Sequence, residues 1–137
     1  MQPIKQHTAI EEISVLIQRA EAQLKDSQFT DGDATIQQSI ELLNSHVGEN
    51  LLPLKARAFC VSARLKERQG LFKEAELDAI TALGLAERTG DVKLIIKASS
   101  ILGRVYMDMA QYVAAVKHFL RSIELCRETN AVAQLSR

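Results

Sequence analysis

Small and apolar side chains return every three or four residues along most of this chain, the spacing of one buried helix face. Ala56, Phe59, Cys60, Ala63 and Leu65 form one such series, and it predicts a helix that Gly70 breaks with a left-handed turn. Asn50 is placed to cap the start of that helix, and Pro53 is tolerated in its first turn. A second helix is predicted from about Phe72 to Arg88, stopped by Gly90, and Asp91 stands at the cap position of the next. Only two prolines and six glycines interrupt a chain rich in strong helix formers, so the fold class is all-α.

The pattern repeats. "FKEAELDAITALGLAERTGD" from Phe72 and "YVAAVKHFLRSIELCRETNA" from Tyr112 align residue for residue, forty positions apart. Ala75 then meets Ala115, Leu83 meets Ile123, and, further upstream, Ala63 meets Gly103. A third copy starts from Phe29, forty-three positions before Phe72, and "SIEL" at Ser39 to Leu42 returns at Ser122 to Leu125. Three helix–turn–helix units follow, over about 13–48, 50–90 and 91–130, with Gly48, Gly90 and Asn130 as their stops. Residues 131–137 read as the start of a capping or fourth-repeat helix, and 1–137 as a single domain.

These residues resemble the tetratricopeptide repeat (TPR). Ala20, Ala63 and Gly103 fill the small position midway along its first helix. "SQF", "GLF" and "AQY" carry the internal turn and the aromatic after it, and "LGRVY" at Leu102 to Tyr106 is the best single match. Gly32, Ala75 and Ala115, with Ser39, Ala82 and Ser122, supply the small residues of the second helix. Small residues let neighbouring helices approach closely. Arg19 and Ser62 depart from the pattern where it prefers a bulky apolar residue, and Gln23 and Lys66 where it often has Tyr. The long period matches the variant of about forty residues found in scaffold proteins and bacterial regulators. The resemblance implies a right-handed superhelix of three repeats, an α-solenoid, whose concave face takes a peptide or partner protein.

Composition narrows the function. Seventeen basic residues balance seventeen acidic ones, so net charge gives no pull toward nucleic acid or an anionic membrane. Aromatic content is 4% with no Trp, which leaves no base-stacking platform. No apolar run is long enough to span a membrane. Cys60 and Cys126 are isolated and read as reduced thiols of a cytoplasmic protein.

The repeat register places Ser14, Ile17, Glu21 and Lys25 on the inner face of the first unit. Arg57, Cys60, Arg64 and Arg68 follow in the second, then Lys97, Ser100, Arg104 and Asp108 in the third. Arg57 shares register with Lys97, and Arg64 with Arg104, which makes a local cationic groove suited to an acidic peptide or a C-terminal carboxylate. Candidate partner-binding residues are therefore Arg57, Cys60, Arg64, Arg68, Lys97, Ser100 and Arg104. Glu21 and Asp108 share register with Arg64 and Arg68, so the alternative is a solvated face of weak ion pairs. Of the Lys/Asn set with which some TPR domains clamp chaperone tails only Lys97 is kept; Ile17, Glu21, Val61 and Ile101 replace the polar members.

Nothing points to catalysis, a metal or a cofactor. His7, His46 and His118 are scattered, with His118 read as a partly exposed surface residue, and no nucleophile elbow or phosphate loop occurs. Two functions remain open. One is a non-catalytic interaction module using the groove. The other is a regulatory, sensory or self-association domain of a larger bacterial signalling or transcription-regulatory protein, associating end to end through apolar residues such as Leu120, Ile123 and Leu135.

Overall fold

The chain is described by a computed structural model covering the backbone of residues 2–135 and the side chains of residues 8–48 and 50–130. The described residues form six α-helices: α1 (Gln2–Lys25), α2 (Phe29–Asn44), α3 (Leu52–Arg68), α4 (Phe72–Thr89), α5 (Val92–Asp108) and α6 (Tyr112–Leu135). A 3-10 turn, Glu49–Leu51, precedes α3. Each helix packs on the next in sequence, and α3 also touches both α1 and α5. The first helices of the three pairs therefore line up as one layer, with α2, α4 and α6 behind them.

The three internal turns are one structure built from three different residues. Ser27, Gly70 and Ala110 are all left-handed, with φ of +63°, +79° and +60°. The next N–H closes each turn: Gln28 donates to the Gln23 carbonyl at 2.8 Å, Leu71 to Lys66 at 2.9 Å, and Gln111 to Tyr106 at 2.8 Å. This satisfies a last-turn carbonyl that would otherwise be orphaned. Phe29, Phe72 and Tyr112 then open the three second helices.

Between the units Gly90 is left-handed at φ +73°, and Asp91 Oδ1 accepts from the Lys93 N–H at 3.0 Å, as expected of a stop followed by a cap. Three other boundary expectations are corrected. Asn50 lies in the 3-10 turn, and Leu51 precedes α3 without a side-chain cap. Pro53 in the first turn has no N–H, so there is one donor fewer to cap. Gly48 does not stop α2, which ends at Asn44; the Ser45 hydroxyl donates to the Leu42 carbonyl at 2.8 Å and closes the end without a left-handed residue. Asn130 does not end the last unit either: α6 runs through it, so residues 131–135 continue that helix instead of beginning another. Asn costs only a fraction of a kcal/mol in a helix interior.

The core lies in two clusters joined across α3. Ala58, Val61 and Leu65 face α1 and α2, where Ile13, Ile17, Ala20, Ile36 and Leu43 are buried. Cys60 and Ala63 face the other way, with Ala75, Ala79, Leu83, Ile101 and Val105. Alternating which side of α3 is used is what makes it the centre of a stack. Close approach uses the small positions: a Cβ on Gly32 would lie 2.8 Å from Leu65 Cδ2, so a larger residue there would make the Leu65 side chain shift.

Candidate functional site

The inner faces of α1, α3 and α5 enclose an open cavity of about 390 Å³. Leu24, Val61 and Cys60 form its apolar part, and Lys25, Arg64, Arg68, Lys97 and Glu21 its charged rim. The charges come together because first helices of successive units lie side by side and each contributes the same register positions.

Most inner-face acids are already committed. Glu21 accepts from Arg57 Nη2 at 3.2 Å through one carboxylate oxygen and lies 4.0 Å from Lys97 Nζ through the other. Glu67, which the sequence did not single out, accepts from Arg104 Nε at 3.2 Å. Its side chain is almost buried, and burial raises its pKa, with Asp108 adding to the rise and Arg104 opposing it.

Arg64 is left over. Its Nε is buried without a hydrogen-bond partner among the described residues. Burial lowers the guanidinium's pKa, and the nearby charges of Arg104 and Arg68 push it the same way against the pull of Glu67. Arg68 lies over the Phe29 ring, 4.9 Å from its centroid, a cation–π contact, and has no ion pair among the described residues. Lys25 likewise has no ion pair among the described residues. Of the four cations lining the cavity, Lys25, Arg64 and Arg68 therefore have no ion pair among the described residues, while Glu21, the one acid among its lining residues, already serves Arg57 and Lys97.

The structure brings Arg64, Arg68, Lys97 and Cys60 to this cavity, with Arg57 and Arg104 beside it in ion pairs. It sends Ser100 elsewhere: that hydroxyl donates to Ser122 Oγ at 3.3 Å and faces α6. Cys60 is only 1% exposed, and burial pushes its pKa up to about 11 despite Lys97 nearby, so it floors the cavity as an inert thiol. His118 is half-buried and stacks on Tyr106 with centroids 5.6 Å apart. Glu21 and Phe29 were visible as a groove position and a repeat aromatic, but that they would hold Arg57, Lys97 and Arg68 follows only from the helix crossings.

Among the described residues no group of three or more His, Cys, Asp or Glu could hold a metal ion, and no helix is long and apolar enough to cross a membrane.

No protein-family model and no curated protein matches the chain. Solved structures do share its architecture. The TPR domain of Arabidopsis FLU aligns with a TM-score of 0.78 at 16% identity, over 88% of this chain and 98% of that one. A TPR-like protein from Chlorobium tepidum aligns with a TM-score of 0.77 at 20% identity, over 93% of this chain and 85% of that one. The fold is that of a tetratricopeptide-repeat α-solenoid.

Proposed function

We propose that this protein is a non-catalytic interaction module that binds an acidic segment of a partner protein along the face formed by α1, α3 and α5. One observation carries the reading: Lys25, Arg64 and Arg68 meet in one cavity and none of them has an ion pair among the described residues. Gathering like charges is unfavourable unless a ligand of opposite sign completes the site. Arg64 and Arg68 would grip a carboxylate through paired N–H donors, Lys25 would add a point charge, and Leu24 and Val61 would receive the adjoining apolar part of the peptide. The use of this fold by proteins that bind partners agrees with the reading. Two free thiols, one of them exposed, fit a reducing intracellular compartment.

The test is selection of binders from a random peptide library displayed on phage, followed by titration of the enriched peptides. Enriched sequences should carry Asp or Glu, weaken as salt rises, and lose binding to an Arg64→Glu/Arg68→Glu variant shown to be folded by circular dichroism. Peptides that bind this variant as well as the wild type would remove the cavity from the function.

A further inference from the structure

The cation cavity holds more positive charge than one carboxylate can use. Its lining carries Lys25, Arg64, Arg68 and Lys97 against the single acid Glu21. Glu21 offsets Lys97 only in part, since it lies 4.0 Å from that ammonium and 3.2 Å from Arg57. A ligand carboxylate would cancel one of the three unpaired cations and leave two facing each other. Arg64 and Arg68 stand four residues apart on one face of α3, a spacing at which like charges repel. The more negative charge a ligand brings, the more of this repulsion it relieves.

The neighbouring acids do not supply that charge. Glu67 attracts Arg64, but its carboxylate is held by Arg104 Nε at 3.2 Å and its side chain is only 7% exposed. Asp108 adjoins Glu67 and raises that residue's pKa. Neither acid lines the cavity.

The donors also come from three sides: Lys25 from α1, Arg64 and Arg68 from α3, and Lys97 from α5. A carboxylate has two oxygens in one plane, and a single guanidinium can occupy both. A phosphomonoester has three terminal oxygens around a tetrahedral centre and carries about 1.5 to 2 negative charges at neutral pH. Two guanidinium forks and an ammonium match it in donors and in charge. Arg64 Nε is a buried donor without a partner among the described residues. The Phe29 ring, 4.9 Å away, holds the Arg68 guanidinium without drawing on its N–H groups.

We propose that the acidic group received by this cavity is a phosphorylated side chain of a partner protein, gripped by Arg64, Arg68 and Lys25. The inference rests on the acidic-segment reading above and narrows it to a phosphoryl group.

Fluorescein-labelled nonapeptide pools test this. Each is random except at its centre, which holds phosphoserine, phosphothreonine, phosphotyrosine, glutamate or serine. Titrated by fluorescence polarisation, at least one phosphorylated pool should bind about 10-fold or more tightly than the glutamate pool. Lys25→Gln/Arg68→Gln changes two exposed residues, so circular dichroism should be unchanged, and it should erase that preference. Inorganic phosphate should displace the phosphorylated pool only at roughly 100-fold or more above the pool's Kd. Phosphorylated pools no tighter than glutamate overturn this inference and leave the acidic-segment reading standing. A preference that survives Lys25→Gln/Arg68→Gln also overturns it, by putting the phosphoryl site elsewhere. Displacement by inorganic phosphate near the pool's Kd overturns it in favour of a free anion. If no acidic pool binds better than the serine pool, both readings fall.

Discussion

The ring of Phe119 fills the space that a side chain on Gly103 would need: a Cβ there would lie 2.8 Å from Phe119 Cε1 and 2.9 Å from Cδ1. In the second unit the same two register positions hold Ala63 and Ala79, both fully buried. One pair is glycine with a large ring, the other alanine with alanine, so each unit reaches close packing by a different division of the same volume. Gly103→Ala gains about 1 kcal/mol in helix propensity but meets an overlap costing roughly 1–3 kcal/mol. The net effect should be destabilising in the wild type. In a Phe119→Ala background the overlap is gone, and the same substitution should stabilise. Urea denaturation of the four proteins checks this reversal of sign; an unchanged sign would mean that the ring swings aside freely.

The three left-handed turns make a second prediction. Ser27 and Ala110 adopt a conformation that costs a side-chain-bearing residue about 1–2 kcal/mol, whereas Gly70 adopts it without that cost. Ser27→Gly and Ala110→Gly should each stabilise by about 0.5–1 kcal/mol after the entropy that glycine adds to the unfolded chain. Gly70→Ala should destabilise by a similar amount. All three values come from midpoint shifts in chemical denaturation. Equal destabilisation by Ser27→Gly and Ala110→Gly would show that the turns are set by something other than backbone strain.

The repeat was legible because close packing leaves a mark at fixed spacing: Ala20, Ala63 and Gly103 are all buried where the register put them. Helix ends were less legible, since a terminal carbonyl can be satisfied by Ser45 as well as by a glycine. Ser62 and Lys66 looked like two separate departures from the repeat pattern, yet they are one feature. The Ser62 hydroxyl donates to Asp78 Oδ2 at 2.6 Å, and Lys66 Nζ donates to the same oxygen at 2.8 Å and to Ser62 at 3.0 Å. Gln37 adds a donor from α2 at 3.3 Å. A polar clamp across three helices replaces an apolar contact, and its partners lie 12, 16 and 25 residues apart, beyond the reach of any local pattern. The cavity charges were half legible for the same reason. Register predicted which cations face inward, while the choice of Arg57 over Arg64 by Glu21 depends on distances that register does not contain.

The two cysteines should differ sharply in reactivity. Cys126 is exposed, whereas Cys60 is buried with its pKa pushed up to about 11 from 9.0. At mildly alkaline pH that shift alone cuts the reactive thiolate about 100-fold, and burial slows access further. Ellman's reagent should therefore modify one thiol quickly and the second only on unfolding. Two equally fast thiols in the native protein would mean that the cavity floor opens readily.

His118 gives a pH dependence with a defined sign. Burial, followed by the charges of Lys117 and Arg121, lowers its pKa below the ordinary 6.5, and its Nδ1 is buried without a partner among the described residues. The folded state therefore binds its proton less readily than the unfolded state does. The stabilisation is fully present above about pH 6.5 and is lost as pH falls through the lower, folded value. His118→Gln should flatten part of the fall in Tm between neutral and mildly acidic pH. Identical pH profiles for the two proteins would mean that the imidazole protonates as freely in the fold as outside it.

Glu21 tests whether the cavity is short of negative charge. Its carboxylate serves Arg57 at 3.2 Å and Lys97 at 4.0 Å, and its side chain is 34% exposed, so screening holds its contribution to stability to about 1 kcal/mol or less. Glu21→Gln keeps the shape and one acceptor while removing the charge. It should leave Tm within a few degrees of the wild type and release Lys97 toward the cavity. Affinity for an acidic peptide should then rise severalfold, with a steeper salt dependence, because the peptide's carboxylate no longer competes with an internal one. Weaker binding by Glu21→Gln would instead make Glu21 a part of the recognition surface, positioning Arg57 and Lys97 for the ligand.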